Sequence, residues 1–293
     1  MTRSEADHSV FYCHSTFSKC VYLVVYVDDI VITGNDDIKI FHLKQFLFIH
    51  FQTKDLDHLK YFLDIEVAQS KEGIVISQRK YALDILQETS MSNCRPVDSP
   101  MDSNMKLMVK HGEPYSDPGR YRRYRRLVEL IYLTMTRPRP DISFAVGVVI
   151  QFMQEAPCVD HWAIVLRILR YIKKTLGHRV YYMRIREIPL YQVIVMLIGR
   201  STIGFCILIG GNVVSWKSKK QNTVARSSAD GKYWVMTSAT CELIWEKLLA
   251  KEISIEFVNS SNQLADIFTK SLRGPSIQVI CSKLGAYNLY ALA

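Results

Sequence analysis

The stretch VYLVVYVDDIVITG, residues 21–34, decides the fold of this chain. β-Branched and aromatic residues fill both flanks of a central Asp28-Asp29 pair, and Asn35 follows the closing Gly34. Runs of this composition on either side of a short polar centre predict two strands joined by a tight turn. The pattern places both aspartates at the tip of a hairpin that we expect to be buried.

Two adjacent carboxylates at the tip of a hairpin have two explanations. Like charges side by side raise each other's pKa unless a cation neutralises them. A Mg²⁺-type ion prefers one or two carboxylates together with phosphate oxygens of a substrate, and two such ions support nucleotidyl transfer. An Asp-Asp pair also makes a good turn without any ion. The hairpin by itself leaves the metal site and the plain turn both open.

Outside the hairpin the chain alternates between strand-like and helix-like patterns, which favours an α+β class. Helices are expected over residues 41–51, 79–89, 120–136, 161–174 and 238–251. Strands are expected over residues 61–68, 74–78 and 204–216. The expected buried face of the 161–174 helix consists of Trp162, Leu166, Leu169 and Ile172. Four prolines among residues 95–118 predict a linker or an extended crossover.

Composition limits the class of protein. A chain of 293 residues with 48% hydrophobic and 22% charged residues is typical of globular proteins, of two domains rather than one, and excludes disordered and collagen-like chains. Its 37 basic and 28 acidic residues give a net charge of +9, which favours polyanionic partners such as nucleic acid. Seven cysteines without CxxC spacing argue against a disulfide framework or a zinc site and favour a reducing compartment.

Membrane and export signals are not expected. The first twenty residues lack an apolar core, so we expect no secretory signal and an intracellular location, either cytoplasmic or nuclear. The apolar stretch at residues 188–216 is interrupted by Arg200. The run before that arginine is shorter than the roughly 20 residues that a spanning helix needs. We therefore expect no membrane span.

A series of motifs runs along the chain, beginning with Tyr26-Val27-Asp28-Asp29. The later stretches are FQTKDL (51–56), YFLDIEVAQS (61–70), SQRKYALDIL (77–86), RPDISFAV (139–146), LRILRYIK (166–173), RSTIGFC (200–206), SWKSKKQNTVARSS (215–228) and QLADIFTKSLRG (263–274). In this order they resemble the Pol polyprotein of copia-type LTR retrotransposons in its plant-like form, and Tyr26-Val27-Asp28-Asp29 is similar to the YVDD box of its reverse transcriptase. So many matches in the same order make the resemblance specific.

The resemblance implies a partial right-hand polymerase followed by a degenerate ribonuclease H-like domain. Residues 1–78 would end the palm, with the YVDD turn and a primer-grip-like hairpin, and residues 79–192 would form a thumb and connection-like helical region. Residues 193–252 would be the ribonuclease H-like segment and residues 253–293 the C-terminal Pol tail. Asp28 and Asp29 would be catalytic and hold Mg²⁺ or Mn²⁺. The implied partners are an RNA template and a DNA primer, with no membrane and no obligate protein partner.

Departures from the family pattern bear on activity. The family's palm needs a third aspartate on an upstream strand, and Asp7 lies in no strand-like context. We therefore expect an incomplete metal site and a strand at 21–25 whose edge and faces are exposed. The primer-grip-like hairpin carries Asp64 where the family has glycine.

The ribonuclease H-like segment departs further from the family. Residues 191–199 contain no acid where the family has its first aspartate, and Asp230 and Lys232 replace the two glutamates of the family's SSAEAEY. A lysine at that position would repel a metal ion. Hydrolysis of RNA by this segment is therefore not expected.

Three hypotheses of function follow. We expect a fragment of a copia-type reverse transcriptase, with its polymerising metals on Asp28 and Asp29, that is inactive as written. The alternative is a non-catalytic nucleic-acid-binding remnant that uses basic side chains to contact phosphates. Its candidate residues are Arg122, Arg123, Arg125, Arg126, Arg167, Arg170 and Lys174. The third hypothesis is a poorly folded relic without function. For residues 120–126, a duplicated and solvated arginine stretch also stays open.

Overall fold

The computed structural model describes residues 1–5, 7–14, 19–70, 73–102, 113, 117, 119, 128, 139–153, 159–176, 180–184, 191–198, 202–209, 212–220, 253–254, 263–264, 266–284 and 286–287. The chain divides into two compact units, unit 1 (Met1–Leu63) and unit 2 (Asp64–Ala293). Both units mix strands and helices, so the mixed class expected from the sequence is confirmed. The helices expected at 120–136 and 238–251 lie outside the described residues, and the division into four segments stays a prediction.

Unit 1 is an antiparallel sheet with one helix. Its elements are β1 (Thr2–Arg3), β2 (Val10–His14), β3 (Cys20–Tyr26), β4 (Asp29–Gly34), α1 (Asp37–His50) and β5 (Tyr61–Phe62). The first four strands pair in the order β1-β2-β3-β4. Because β3 and β4 pair from Val21↔Gly34 to Tyr26↔Asp29, the predicted hairpin is confirmed. The helix predicted at 41–51 is confirmed as α1.

The expected exposed edge of β3 is wrong. All five residues of β2 pair with β3, from Val10↔Val24 to His14↔Cys20, so β3 has a partner strand on each side. The sequence VFYCH of β2 is itself rich in aromatic and β-branched residues, which favour a strand. The composition of residues 10–14 therefore favours a strand, and this strand, which precedes the hairpin, pairs with the edge of β3 that was expected to be exposed.

Three consecutive residues close the hairpin and begin α1. Gly34 has a φ of 153°, and a Cβ at this position would lie 2.2 Å from the carbonyl oxygen of Cys20. Asn35 accepts a 2.7 Å hydrogen bond from the Cys20 amide through its side-chain oxygen. Asp36 then caps α1, because its carboxylate accepts a hydrogen bond from the Lys39 amide. Strand end, turn and helix start are thus fixed within three residues.

Unit 2 contains strands of two sheets. Its strands are β6 (Ile65–Gln69), β7 (Gly73–Ser77), β8 (Val180–Arg184), β9 (Tyr191–Ile198), β10 (Thr202–Ile209), β11 (Asn212–Lys220), β12 (Ile253–Ser254) and β13 (Ala286–Tyr287). β7 lies between β6 and β8, and β8 also pairs with β13, all antiparallel. The other sheet has the order β11-β10-β9-β12, in which β12 runs parallel to β9. The predicted strands at 61–68, 74–78 and 204–216 are confirmed in type, with shifted ends.

The core of unit 2 is helical. Its helices are α2 (Arg79–Glu88), α3 (Pro140–Met153), α4 (Val159–Lys174), α5 (Asp266–Thr269) and α6 (Gly274–Lys283). α4 packs against α2 and α3, and α3 also contacts α5 and α6. Among the described helices, none has the length and hydropathy required to cross a membrane. The helices predicted at 79–89 and 161–174 are confirmed as α2 and α4.

The buried face of α4 differs from the one predicted. Leu169 and Ile172 are buried as expected, whereas Trp162 and Leu166 are only partly buried. Ile164, Val165 and Ile168 are buried as well, and so are His161 and Tyr171. α4 contacts two helices, α2 and α3. Its buried residues therefore cover more of the helix surface than the single apolar stripe predicted.

A buried ion pair connects the ends of α3 and α4. Arg139 donates to Asp141 through two hydrogen bonds, Nε to Oδ1 at 3.0 Å and Nη2 to Oδ2 at 2.8 Å. The same Nη2 donates to the hydroxyl of Thr175 just beyond α4, at 2.6 Å. Both charged side chains are almost completely buried, with 6% and 0% of their surface exposed. Loss of either partner would leave an uncompensated buried charge, which costs about 3–5 kcal/mol.

Candidate functional site

The turn between β3 and β4 carries the two candidate aspartates. Tyr26 and Asp29 are the last paired residues of the hairpin, so Val27 and Asp28 form a two-residue turn. Both aspartates are exposed, as are Tyr26 and Val27, whose exposed fractions are 50% and 81%. The expectation of a buried tip is therefore wrong, because only Val21, at the far end of the hairpin, reaches a buried position.

Val27 stores backbone strain at this tip. Its φ is 51°, in the left-handed region, whereas Asp28 is not among the residues with positive φ. Two-residue hairpin turns with positive φ at the first central residue normally carry glycine there. A β-branched residue in this conformation is an outlier, and such strain concentrates at functional sites. The sequence signal for this strain is a valine at the first position of a two-residue turn.

The two aspartates have the ligand chemistry that a hard cation prefers. Mg²⁺ accepts one or two carboxylates from a protein and completes its shell with water or phosphate oxygens, and the exposed tip leaves room for both. Among the described residues, no group of three or more His, Cys, Asp or Glu side chains could hold a metal ion. Within the described part of the chain, Asp28 and Asp29 therefore have no third carboxylate grouped with them, and their role as metal ligands stays a prediction.

Asp7 does not complete this site. It lies in the loop between β1 and β2, as its lack of strand-like context predicted. Its Oδ1 accepts hydrogen bonds from the Ser9 hydroxyl at 2.7 Å and from the Ser9 amide at 2.9 Å. These two bonds lower the pKa of Asp7 below its ordinary value, so the loop itself stabilises the charged carboxylate.

The primer-grip-like hairpin contains two further left-handed positions. Leu63 and Asp64 have φ values of 48° and 63°, immediately before β6. Aspartate is one of the few residues other than glycine that visit this region readily. Asp64 therefore adopts a conformation that glycine would adopt without cost, which gives a physical reason for glycine at this position in the family.

The candidate basic residues on α4 contact another segment of unit 2. We call residues 94–102 the strap, and Arg167, Arg170 and Lys174 the basic face. Arg167 donates to the carbonyl and hydroxyl oxygens of Ser99, and Lys174 forms an ion pair with Asp98. Arg170 is exposed and forms no hydrogen bond or ion pair with the described residues. No local pattern in the sequence predicts the strap contacts, because the strap and α4 are far apart along the chain.

Several candidate residues lie outside the described residues. These are Arg122, Arg123, Arg125 and Arg126 of the arginine stretch, and Asp230 and Lys232 of the ribonuclease H-like segment. Their roles stay predictions.

Comparison with known proteins assigns the class and then the family. A family model described as Reverse transcriptase (RNA-dependent DNA polymerase) matches residues 1–103, which include the whole of unit 1. The chain is 36% identical over 242 residues to the retrovirus-related Pol polyprotein from transposon RE2 of Arabidopsis thaliana, a match that covers 80% of the chain and 16% of that polyprotein. Reverse transcriptase is thus the class that the hairpin region defines.

Two further relatives cover most of the chain. An uncharacterized mitochondrial protein of Arabidopsis thaliana is 36% identical over 231 residues, which cover 77% of this chain and 94% of that protein. The Pol polyprotein from transposon TNT 1-94 of Nicotiana tabacum is 29% identical over 263 residues, which cover 86% of this chain and 20% of that polyprotein. No solved structure matches the chain.

The chain belongs to the reverse transcriptase family of copia-type retrotransposon Pol polyproteins. It spans about a sixth of the length of the Arabidopsis Pol polyproteins that it matches.

Proposed function

We propose that this chain is a reverse transcriptase segment that holds one divalent ion at Asp28 and Asp29 and does not synthesise DNA by itself. The observation that carries the proposal is the pair of exposed carboxylates at the hairpin tip, with no third acid beside them among the described residues. Nucleotidyl transfer by two metal ions needs ligands that place one ion at the attacking oxygen and one at the leaving oxygen. Two adjacent carboxylates support binding of one ion only.

The chemistry of the pair follows from charge. Members of the reverse transcriptase family use Mg²⁺, and a bound Mg²⁺ or Mn²⁺ would supply positive charge for the phosphate oxygens of a substrate. Asp28 and Asp29 would neutralise part of that charge and hold it at the tip. The strained turn at Val27 favours this role, because it fixes the direction in which the two carboxylates leave the hairpin.

Metal binding by the purified full-length chain tests the site. Titration with Mn²⁺, followed by electron paramagnetic resonance, should show one ion bound, with binding lost in Asp28→Asn and in Asp29→Asn. The matched control is Asp57→Asn, an exposed acid of unit 1 away from the turn whose left-handed φ of 62° asparagine tolerates. Equal Mn²⁺ binding by all variants would reject the site.

Primer extension tests the lack of polymerisation. With an RNA template, a DNA primer and either Mg²⁺ or Mn²⁺, we expect no template-dependent product from the chain alone. Synthesis that Asp28→Asn abolishes would overturn the proposal and establish an active polymerase.

Nucleic-acid binding is a second candidate function, and the basic face favours it. Arg170 is exposed on α4 between Arg167 and Lys174, and the chain carries a net charge of +9. We propose that this face, with the arginines at 122–126, contacts phosphates of an RNA–DNA hybrid with little sequence preference. Affinity should fall steeply with salt, and Arg170→Ala should weaken it. An affinity that does not change between low and moderate salt would reject this function.

The subdomain assignments belong to the same proposal. The helices α2, α3 and α4 support a thumb and connection-like role for the helical region, since they form its core. β9 lies between β10 and β12, and none of its eight residues YQVIVMLI is acidic. This strand covers the position where the resemblance puts the first ribonuclease H aspartate. Its composition therefore supports a ribonuclease H-like segment that does not hydrolyse RNA.

A further inference from the structure

We propose that the strap regulates the basic face, because its carboxylates compete with nucleic-acid phosphates for Arg167 and Lys174. This inference rests on the proposed function in which the basic face binds nucleic acid. It adds a competitor within the chain. Asp98 and Asp102 lie against the cationic groups that phosphates would otherwise contact, so nucleic-acid binding requires the two carboxylates to leave those groups.

Arg167 is occupied along the edge of its guanidinium group. Its Nε donates to the Ser99 carbonyl oxygen at 3.1 Å and its Nη2 to the Ser99 hydroxyl at 3.0 Å. Its Nη1 lies 3.9 Å from Oδ2 of Asp102. Two parallel N–H donors and a nearby anion are the arrangement by which arginine binds phosphate. The strap therefore uses the same donors that a phosphodiester would use.

The lysines at the end of α4 are occupied as well. Lys174 forms an ion pair with Asp98, and Lys173 donates to the Cys94 carbonyl oxygen at 2.8 Å. Arg170 lies between these contacts and stays exposed. The strap thus places two carboxylates on the basic face, one at each side of an uncovered arginine.

The strap is anchored at its centre and exposed at its acidic positions. Ser99, Pro100 and Met101 are buried, and the Met101 carbonyl oxygen accepts a hydrogen bond from Ser271 at 3.2 Å. The side chains of Asp98 and Asp102 are 76% and 48% exposed. Exposed ion pairs are weak and screened by salt. The carboxylates can therefore exchange for phosphates at Lys174 Nζ and Arg167 Nη1, while Ser99 and the rest of the centre stay in place.

The test measures binding of the full-length chain to a fluorescent RNA–DNA hybrid by anisotropy at several salt concentrations. The Asp98→Asn/Asp102→Asn variant removes both carboxylates, which frees Lys174 from its ion pair and leaves Arg167 with its two hydrogen bonds to Ser99. The control, Asp84→Asn/Glu88→Gln, removes the same charge from exposed positions on α2. We expect the strap variant to bind about fivefold tighter than the control, and its salt dependence to rise by roughly one to two phosphate contacts. Equal affinity of the two variants would overturn the inference.

A second variant separates competition from a general loss of structure. In the wild-type chain Lys174 is engaged by Asp98, so Lys174→Gln should change affinity less than twofold. In the strap variant the same substitution should remove a large part of the gain. If Lys174→Gln acts equally in both backgrounds, the carboxylates do not compete and the inference fails.

The outcomes also distinguish the inference from the function on which it rests. If the wild-type chain binds the hybrid, Arg170→Ala weakens binding, and the two double variants are equal, only the inference fails. If the wild-type chain and the strap variant both show no salt-dependent binding, the proposed nucleic-acid function fails and the inference fails with it.

Discussion

Among single residues, Val27 has the clearest energetic consequence. A left-handed conformation costs an L-residue about 1–2 kcal/mol, and glycine avoids this cost but loses about 0.5–1 kcal/mol through its flexible unfolded state. Val27→Gly should therefore increase the free energy of unfolding of unit 1 by roughly 0.5–1 kcal/mol. Far-UV circular dichroism during urea unfolding measures this change.

The matched control for Val27 is Val24→Gly, the same substitution at a half-buried and extended position of β3. It should destabilise unit 1, since glycine weakens a strand and removes a packed side chain. If both variants destabilise unit 1 equally, the turn at Val27 is not strained.

His161 makes the stability of unit 2 depend on pH. Burial in the first turn of α4 lowers the pKa of His161 below its ordinary value of 6.5, although the charge of Asp160 opposes this shift. The unfolded chain then binds a proton more readily than the folded chain. This contribution to stability is complete above pH 6.5 and is lost as the pH falls from 6.5 towards the lower folded pKa.

Urea unfolding at about pH 7 and pH 5.5 measures the effect of His161 through tryptophan fluorescence. His161→Gln should reduce the difference in midpoint between the two pH values. The pKa values of Asp7 and Asp55 are lowered from 3.8 by hydrogen bonds, so these two groups change the stability only below about pH 3.8, outside this window. An unchanged difference in the variant would show that another group titrates.

At the scale of single residues, the sequence predicts which residues are candidates for the site, but not how exposed each side chain is. The family motif predicts Asp28 and Asp29 as metal ligands, but the exposure of the turn depends on which strands and helices cover it. Trp162 has the residue type of a core position and yet lies at the side of the α4 interface. Exposure of one side chain is decided by distant segments, which a local pattern does not contain.

Among elements, the β3–β4 hairpin depends on a close backbone approach at Gly34. A Cβ there would lie 2.2 Å from the Cys20 oxygen and 2.9 Å from the Val21 Cα, both backbone atoms that cannot move without opening the hairpin. Gly34→Ala should therefore destabilise unit 1 by at least about 2 kcal/mol. Circular dichroism melting of the full chain measures the loss.

Gly147 provides the contrasting substitution. It lies inside α3, and a Cβ there would meet nothing within 4 Å. Gly147→Ala should stabilise unit 2 by up to about 1 kcal/mol, because alanine has the higher helix propensity. If both glycine substitutions lower the free energy of unfolding, crowding of the Cβ atom at Gly34 does not explain the loss of stability there.

Elements were the most predictable level of this fold. α1, α2, α4 and the β3–β4 hairpin follow from periodicity and turn residues, all of which act within one segment. The Asp28-Asp29 pattern does not predict β2, because that pattern extends over the hairpin alone. The order β11-β10-β9-β12 was not predictable, since pairing between distant strands leaves no local pattern.

For the whole molecule, the two units should unfold in separate transitions. Among the described residues of unit 1, Val21 is the only buried hydrophobic residue, whereas unit 2 has a large helical core. All four tryptophans lie in unit 2, at positions 162, 216, 234 and 245. In urea, far-UV circular dichroism should begin to change before tryptophan fluorescence does. Coincident curves would mean that the chain unfolds as one cooperative body.

The hydrogen bond between Ser271 and Met101 joins positions 170 residues apart, and this distance has a consequence for synthesis on the ribosome. At roughly 5–20 residues per second, on the order of 10 to 30 seconds pass between the emergence of Met101 and that of Ser271. During this interval the Met101 carbonyl lacks its Ser271 partner. A nascent chain of this protein therefore cannot complete the burial of Pro100 and Met101 until its last residues have been synthesised.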